Sequence, residues 1–499
     1  MTTSQALRST EREIPPAAIP APQPWQWAAF GAILFLAAAL RFYFALTTPA
    51  WFAEIYIVRI CQLPIRRVME LVAADIHPPL QFVLRRLWTV MGGPGAVWHK
   101  SFSILFALGA VTLTFVFGRR WFGVRAALFA TLLVALHSAH IQYSQEIEEY
   151  SLEWFLVLAA VGFAWHWMRT RNALSAYGYV LSTGAGLWNH YETLVVWMVI
   201  AFVLFLEIGT DWEKAGRWLL INLAVLALFA PLLPTMGAQL ARESHGRYFA
   251  FPTLQTLENL WRLMGLGSRL ALAPMLILSL IPLARAETRP LAILLWALLV
   301  FSPLATRIWV VILPREILFI LPLWLLLVAA GLDVVPWRLV QGVVAAGLVA
   351  FAAFGALHPT RYVEAVETKQ AADFVKAHAQ PGDLIVHAEP HSLEFFDYYH
   401  PEYRNRVLIT AGDHLPFFEG GLGIPESLYI SPGEFRIQRL TGARWWGVWV
   451  DRALATRGKV WRAGGTMADT IRTAANGDSL WHQGAVTVWG GAPGSAPLH

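Results

Sequence analysis

The sequence predicts a mostly α-helical, polytopic membrane protein with a soluble α/β domain at its C-terminal end. Three observations predict it. Of 499 residues, 57% are hydrophobic and only 14% charged, against roughly 25% charged residues in soluble domains. About eleven apolar stretches approach the ~20 residues needed to cross ~30 Å of hydrocarbon. After His358 the composition turns to that of an ordinary soluble protein.

Residues 1–25 form a polar, proline-rich tail, expected to be cytoplasmic. The apolar segment Trp25 to Leu46 lacks the short core and small-residue cleavage site of a signal peptide, so it reads as an uncleaved first span. Spans are expected near 26–46, 98–117, 124–142, 150–168, 174–190, 192–207, 217–235, 268–284, 290–307, 315–333 and 338–357. Only a tight turn fits at Asn189 to Thr193. Arg119, Arg120, Arg125, Arg169, Arg171, Lys214, Arg217, Arg285 and Arg289 fall in alternate short loops, which marks that side as cytoplasmic. The loop 47–97 and the domain 358–499 then lie on the outer, periplasmic side. Ile57 to Ala74 suits one interfacial helix, and Arg59, Arg66, Arg67, Arg85 and Arg86 of this loop suit contact with anionic lipid.

In the C-terminal domain, helices are predicted at Tyr362 to His378, Ser392 to Tyr399 and Arg436 to Leu440. Strands are predicted at Leu384 to His387, Val407 to Thr410, Trp445 to Val450 and Ala485 to Trp489. Alternating helices and short apolar strands make an α/β layer domain. His387, Glu389 and His391 alternate as metal ligands could, although such alternation is also common at a strand end.

The formal charge of +5 is explained by loop asymmetry, so a nucleic-acid partner is not expected. The single cysteine, Cys61, excludes an internal disulfide and reads as a small buried residue.

The ionisable residues that invite a function gather at the outer ends of spans. Glu54 opens the first loop, and Asp75 and His77 precede Pro78-Pro79. Glu146, Glu148 and Glu149 occupy the turn before the fourth span; His190, Tyr191 and Glu192 occupy the next outer turn. Arg307, Arg315 and Glu316 precede the tenth span. Ionisable groups near membrane depth are costly and default to functional candidates, with span-end capping as the plain alternative. On helical spacing Glu146, Glu149 and Tyr150 would share a face. Arg315 is the natural cation for packed carboxylates or for a phosphate, which a guanidinium grips in two places.

These residues stand within WFAEIYIV, ADIHPPL, IQYSQE followed by Tyr150, NHY and PREILFILP. In that order and spacing they resemble the GT-C membrane glycosyltransferases, in particular the bacterial dolichyl-phosphate-mannose-protein mannosyltransferase-like enzymes, relatives of the aminoarabinose and galacturonic acid transferases of lipid A. The resemblance covers about residues 26–357. It implies transfer of a sugar, with inversion, from a polyprenyl-phosphate donor to a glycan, lipid or protein acceptor on the outer face of the inner membrane. A first-loop carboxylate would be the general base, and basic residues would hold the donor phosphate.

The sequence departs from the family pattern. Where WFDE is usual it has Trp51-Phe52-Ala53-Glu54, so alanine stands at the base position. The arginine of SQEAR is Glu148, and Glu192 and Glu316 are added acids. One reading keeps transfer: Glu54, His77 and Glu146 are catalytic, and Arg315, His190, Tyr191 and Asp75 bind the donor. Glu148, Glu149, Glu192 and Glu316 then form a site for a cationic acceptor or a divalent metal. The alternative is a homologue impaired by Ala53 that binds a lipid-linked sugar or assembles with a partner. A flippase is disfavoured, because no inverted repeat is present.

Overall fold

The computed structural model describes residues 23–243, 254–308 and 314–358, and beyond these 363–380, 383–388, 390–408 and shorter stretches between 429 and 491. The first helix, α1 (Pro24–Thr47), ends at an extended Thr48, as the following Pro49 requires. The expected single helix over 57–74 is instead two, α2 (Phe52–Ile60) and α3 (Ile65–Ala74). Pro64 has no N–H to continue the ladder and stands as the N-cap residue of α3. A further helix, α4 (Leu80–Gly92), follows Pro78-Pro79 and closes at Gly93, whose φ of 88° suits a residue without Cβ.

The long α5 (Ala96–Phe122) turns at Gly123, φ 90°, into α6 (Val124–Leu136). The stretch expected as one span over 124–142 breaks at His137 and resumes as the short α7 (Ser138–Tyr143). Breaking a helix inside the bundle strands the carbonyls of its last turn. Fully buried Arg41 of α1 supplies the donors, reaching Ala135 O at 3.1 Å, Val134 O at 3.3 Å and His140 Nδ1 at 2.8 Å.

Then come α8 (Tyr150–Thr170), α9 (Ala173–Asn189), α10 (Thr193–Ile208) and α11 (Trp212–Phe229). A 3-10 turn with Pro231 joins α11 to α12 (Leu233–Glu243). The rest of the bundle is α13 (Leu254–Met264), α14 (Arg269–Ala284), α15 (Arg289–Ile308), the 3-10 turn Pro314–Ile317, α16 (Ile320–Asp333) and α17 (Arg338–Leu357). Every apolar stretch expected to span is thus largely helical. Among the described residues, five helices are long and apolar enough to cross a membrane, and five shorter ones are apolar over 10–17 residues. The chain is a multi-pass membrane protein.

Apolar all round, α16 is buried from Ile320 to Leu332, as such a helix must be. It packs so closely on α14 that a Cβ added at Gly331 would lie 1.9 Å from Leu278 O. The obstacle is backbone and cannot swing aside. Gly331→Ala is therefore expected to push α14 off α16 and destabilise the protein by about 1–3 kcal/mol or more; a thermal melt in detergent unchanged from the parent would disprove the tight crossing.

Beyond the bundle, α18 (Val363–His378) and α19 (Pro390–Tyr399) flank a six-stranded sheet ordered β3-β2-β1-β4-β8-β7. Its strands are β1 (Leu384–His387), β2 (Arg404–Leu408), β3 (Tyr429–Ile430), β4 (Trp445–Val450), β7 (Trp481–Gln483) and β8 (Val486–Gly491). The hairpin pair β5 (Ala453–Thr456) and β6 (Lys459–Arg462) is separate. β1 runs parallel to β2 and β4, with Ile385 opposite Asn405 and Val386 opposite Gly447; β8 is antiparallel to β4. The second strand begins three residues earlier than expected because its polar residues find partners. Asn405, for example, is buried and donates to His400 O. Of the suggested metal set, His387 is fully buried between Ser392 Oγ at 2.9 Å and Asn405 Oδ1 at 3.4 Å. Glu389 and the helix expected at Arg436 to Leu440 lie outside the described residues.

Candidate active site

The first loop, the turn 144–149, the turn between α9 and α10 and the 3-10 turn Pro314–Ile317 meet at one end of the bundle. Glu54 ties the first two together. Lying in the first turn of α2, it accepts from Trp51 N at 3.0 Å through Oε2, closing its own helix start, and from Ile147 N at 2.8 Å through Oε1. The side chain is 2% exposed. The residue expected from the sequence as the displaced base thus holds two backbone amides. Ala53 beside it is half-buried.

Residues 144–149 form turns and bends, not helix, so the expected shared face of Glu146, Glu149 and Tyr150 does not arise from helical spacing. Buried Arg85 of α4 fixes this turn, donating to Glu148 O at 2.9 Å, Ser103 Oγ at 2.7 Å and His99 O at 3.0 Å. Ser103 in turn donates to Glu146 O, and Asn189 to Glu149 O at 3.2 Å. Arg85 was expected at a lipid surface; it is a framework residue.

An alternating row of acids and imidazoles crosses the site. Asp75 Oδ2 is 3.3 Å from His77 Nδ1, and His77 Nε2 is 3.6 Å from Glu149 Oε1. The same oxygen is 3.6 Å from His190 Nε2, and His190 Nδ1 is 3.2 Å from Glu153 Oε1. Gln81 adds a donor to Glu149 Oε2 at 2.6 Å. Asp75 and His77 remain 26% and 31% exposed at the side chain, while Glu149 and Glu153 are buried.

Charge states follow from this arrangement. Burial works against a charged His77, yet Glu149 and Asp75 outweigh it and hold the imidazole up at about 10. His190 is likewise held at about 10 against burial, by Glu153 and Glu149. Burial also opposes ionisation of Glu149, but the two imidazoles bring its carboxyl below the ordinary range. Glu148 goes the other way, driven well up by burial and by the Glu149 charge. Burial lifts Glu192 to about 8.

Arg315 approaches the row from the 3-10 turn, its guanidinium 5.5 Å from the Tyr150 ring centre and 5.9 Å from that of Trp51. Tyr191 donates to Gln239 Oε1 of α12, and Gln239 donates to Val72 O at 3.1 Å and His77 O at 3.3 Å. Among the described residues, no group of three or more His, Cys, Asp or Glu side chains is arranged to hold a metal ion. Arg242 falls in α12; its side chain, that of Arg307, and the residues His245 and Arg247 lie outside what is described.

Gln81, Glu153 and Gln239 were not singled out from the sequence, and Arg85 only as a lipid contact. Glu153 could have been: an acid in the first turn of an apolar span, four residues from Glu149, carries both the cost and the spacing that mark a partner.

No protein-family model matches the chain, and no curated protein does. Among solved structures it is similar to ArnT from Cupriavidus metallidurans bound to undecaprenyl phosphate, with a TM-score of 0.62, 13% identity, and coverage of 94% of this chain and 98% of that one. The same protein in the apo state gives a TM-score of 0.57 at 14% identity, over 93% and 98% of the two chains. The chain has the GT-C fold. An oligosaccharyltransferase of Archaeoglobus fulgidus aligns more loosely, with a TM-score of 0.47 at 12% identity over 76% of this chain and 64% of that one.

Proposed function

We propose that the protein is a glycosyltransferase of the bacterial inner membrane, moving a sugar from a polyprenyl-phosphate donor to an envelope glycan, lipid or protein acceptor on the outer face. The observation that carries this reading is the meeting, within the GT-C fold, of Arg315 with a row of carboxylates and imidazoles. That ArnT was solved with undecaprenyl phosphate supports the same class of lipid phosphate as the donor carrier here.

In this reading the edge of the Arg315 guanidinium takes the donor phosphate, while Trp51 and Tyr150 hold its face. His77 and His190, kept protonated by their acids, add positive charge as the phosphate leaves. The acceptor oxygen bonds to the anomeric carbon as the sugar–phosphate bond breaks, the electron pair leaving on the phosphate. The acceptor's proton needs a carboxylate within reach. With alanine at 53 and both Glu54 oxygens engaged, we assign this to Asp75, partly exposed and held by His77 and by Ile76 N at 2.8 Å. Glu146 keeps the orienting part expected from the sequence, and Tyr191 the donor contact.

Ala53 favours a second reading, a pocket that binds the lipid-linked sugar without transferring it. Transfer from a radiolabelled panel of undecaprenyl-phosphate sugars to endogenous membrane acceptors separates the two. Activity in the parent that is lost in Asp75→Asn supports the transferase. Activity confined to Ala53→Asp would give the binding reading precedence.

A further inference from the structure

α2 has nine residues and lies between Pro49 and Pro64. A helix this short has no stability of its own and takes its place from what packs on it. Two bodies do so. On one side Ile57, Val58 and Ile60 pack with Val68, Leu71, Val72, Phe82 and Ile147. On the other, Ala50 and Ile55 join the core of the C-terminal part with Phe395, Phe396 and Ala371.

The second contact is fastened by polar groups along α19. Arg59 reaches Glu394 Oε2 and Asp397 Oδ2, each at 2.7 Å. Ala50 N donates to the Tyr399 hydroxyl at 2.9 Å and Ala96 N to that of Tyr398 at 3.1 Å; Tyr398 donates to Pro94 O at 3.3 Å. One helix thus grips the first loop at Ala50 and Arg59 in its first part and at Pro94 and Ala96 at its end. Five residues before Arg59, on the same short helix, Glu54 holds Ile147 N of the acidic turn.

We propose that Arg59, Glu394 and Asp397 are positioning residues of the site. The α19 clasp sets where α2 stands, and α2 sets, through Glu54, where the turn 144–149 presents its carboxylates. The C-terminal part is in this view a brace for the membrane site and not only a cover. For its effect on transfer, the proposal rests on the transferase reading; its structural content does not.

Amide exchange on the full chain in detergent or nanodiscs tests it, with the peptide containing Ile147 as reporter. Arg59→Glu sets like charges against Glu394 and Asp397. It is expected to speed exchange at Ile147 about tenfold, a change of about 1.4 kcal/mol in local opening, with exchange in α8 and α16 unchanged. Arg59→Glu combined with Glu394→Arg and Asp397→Arg should bring Ile147 back toward the parent rate and, with it, kcat of transfer; loss of packing alone would not be restored by reversing the charges. Should Arg59→Glu not fold, Arg59→Gln asks the same question with a smaller effect. Parent-like exchange at Ile147 in Arg59→Glu, or in Arg59→Gln where that stands in for it, or acceleration that the reversed charges do not correct, overturns the clasp. Absence of transfer in the parent counts against the transferase reading alone, since the exchange result still decides the clasp.

Discussion

Arg315→Ala is expected to weaken binding of undecaprenyl phosphate at least about 30-fold, measured by titration on native mass spectrometry or by thermophoresis in nanodiscs. The guanidinium lies against two aromatic faces, Tyr150 and Trp51. Stacking occupies the flat of the group, while phosphate recognition uses the in-plane N–H edge, so the two tasks reinforce each other. Losing one partner of a hydrogen-bonded charge pair costs about 2–5 kcal/mol, and each 1.4 kcal/mol is a factor of about ten. Arg315→Lys keeps the charge but gives up the fork and the flat face, so it should fall between parent and alanine. Equal affinity in all three proteins would remove Arg315 from the donor site.

The cluster could be anticipated from the sequence because each member is costly where it stands. Glu, His and Arg at the ends of apolar spans have few innocent explanations, and Asp75, His77, Glu149 and His190 do come together. α16 was legible for the opposite reason, being apolar on every face. What stayed hidden depends on backbone groups or on distant partners. The break at His137 falls in an apolar run, and its stabiliser, Arg41, is 94 positions from Ala135. Arg59 and Arg85 looked like lipid contacts. Their actual partners are two acids more than three hundred residues away for Arg59, and chiefly carbonyl oxygens, which no sequence pattern displays, for Arg85. In the sheet, β2 was displaced in the reading because the strand rule seeks apolar runs, and Asn405 pairs inside the core instead.

Glu54 is where residue type and backbone geometry most disagree, and its substitution should have the second large effect. Both of its oxygens accept backbone N–H groups, from Trp51 at 3.0 Å and Ile147 at 2.8 Å, in a nearly dry setting. Hydrogen bonds to a charged group contribute about 1.5–3 kcal/mol each, so Glu54→Ala is expected to lower stability by several kcal/mol and to release the acidic turn. Glutamine makes the sharper test. It keeps the shape but replaces one acceptor by an NH2 group facing an N–H, so one of the two amides must lose its partner whichever way the side chain is turned. Glu54→Gln should therefore fall in melting temperature nearly as far as alanine, with faster exchange at Ile147. A base without a structural task behaves differently: glutamine would leave the melt at the parent value and remove transfer alone. The melting temperature of that one isosteric variant separates a clamp from a base before any substrate has been identified.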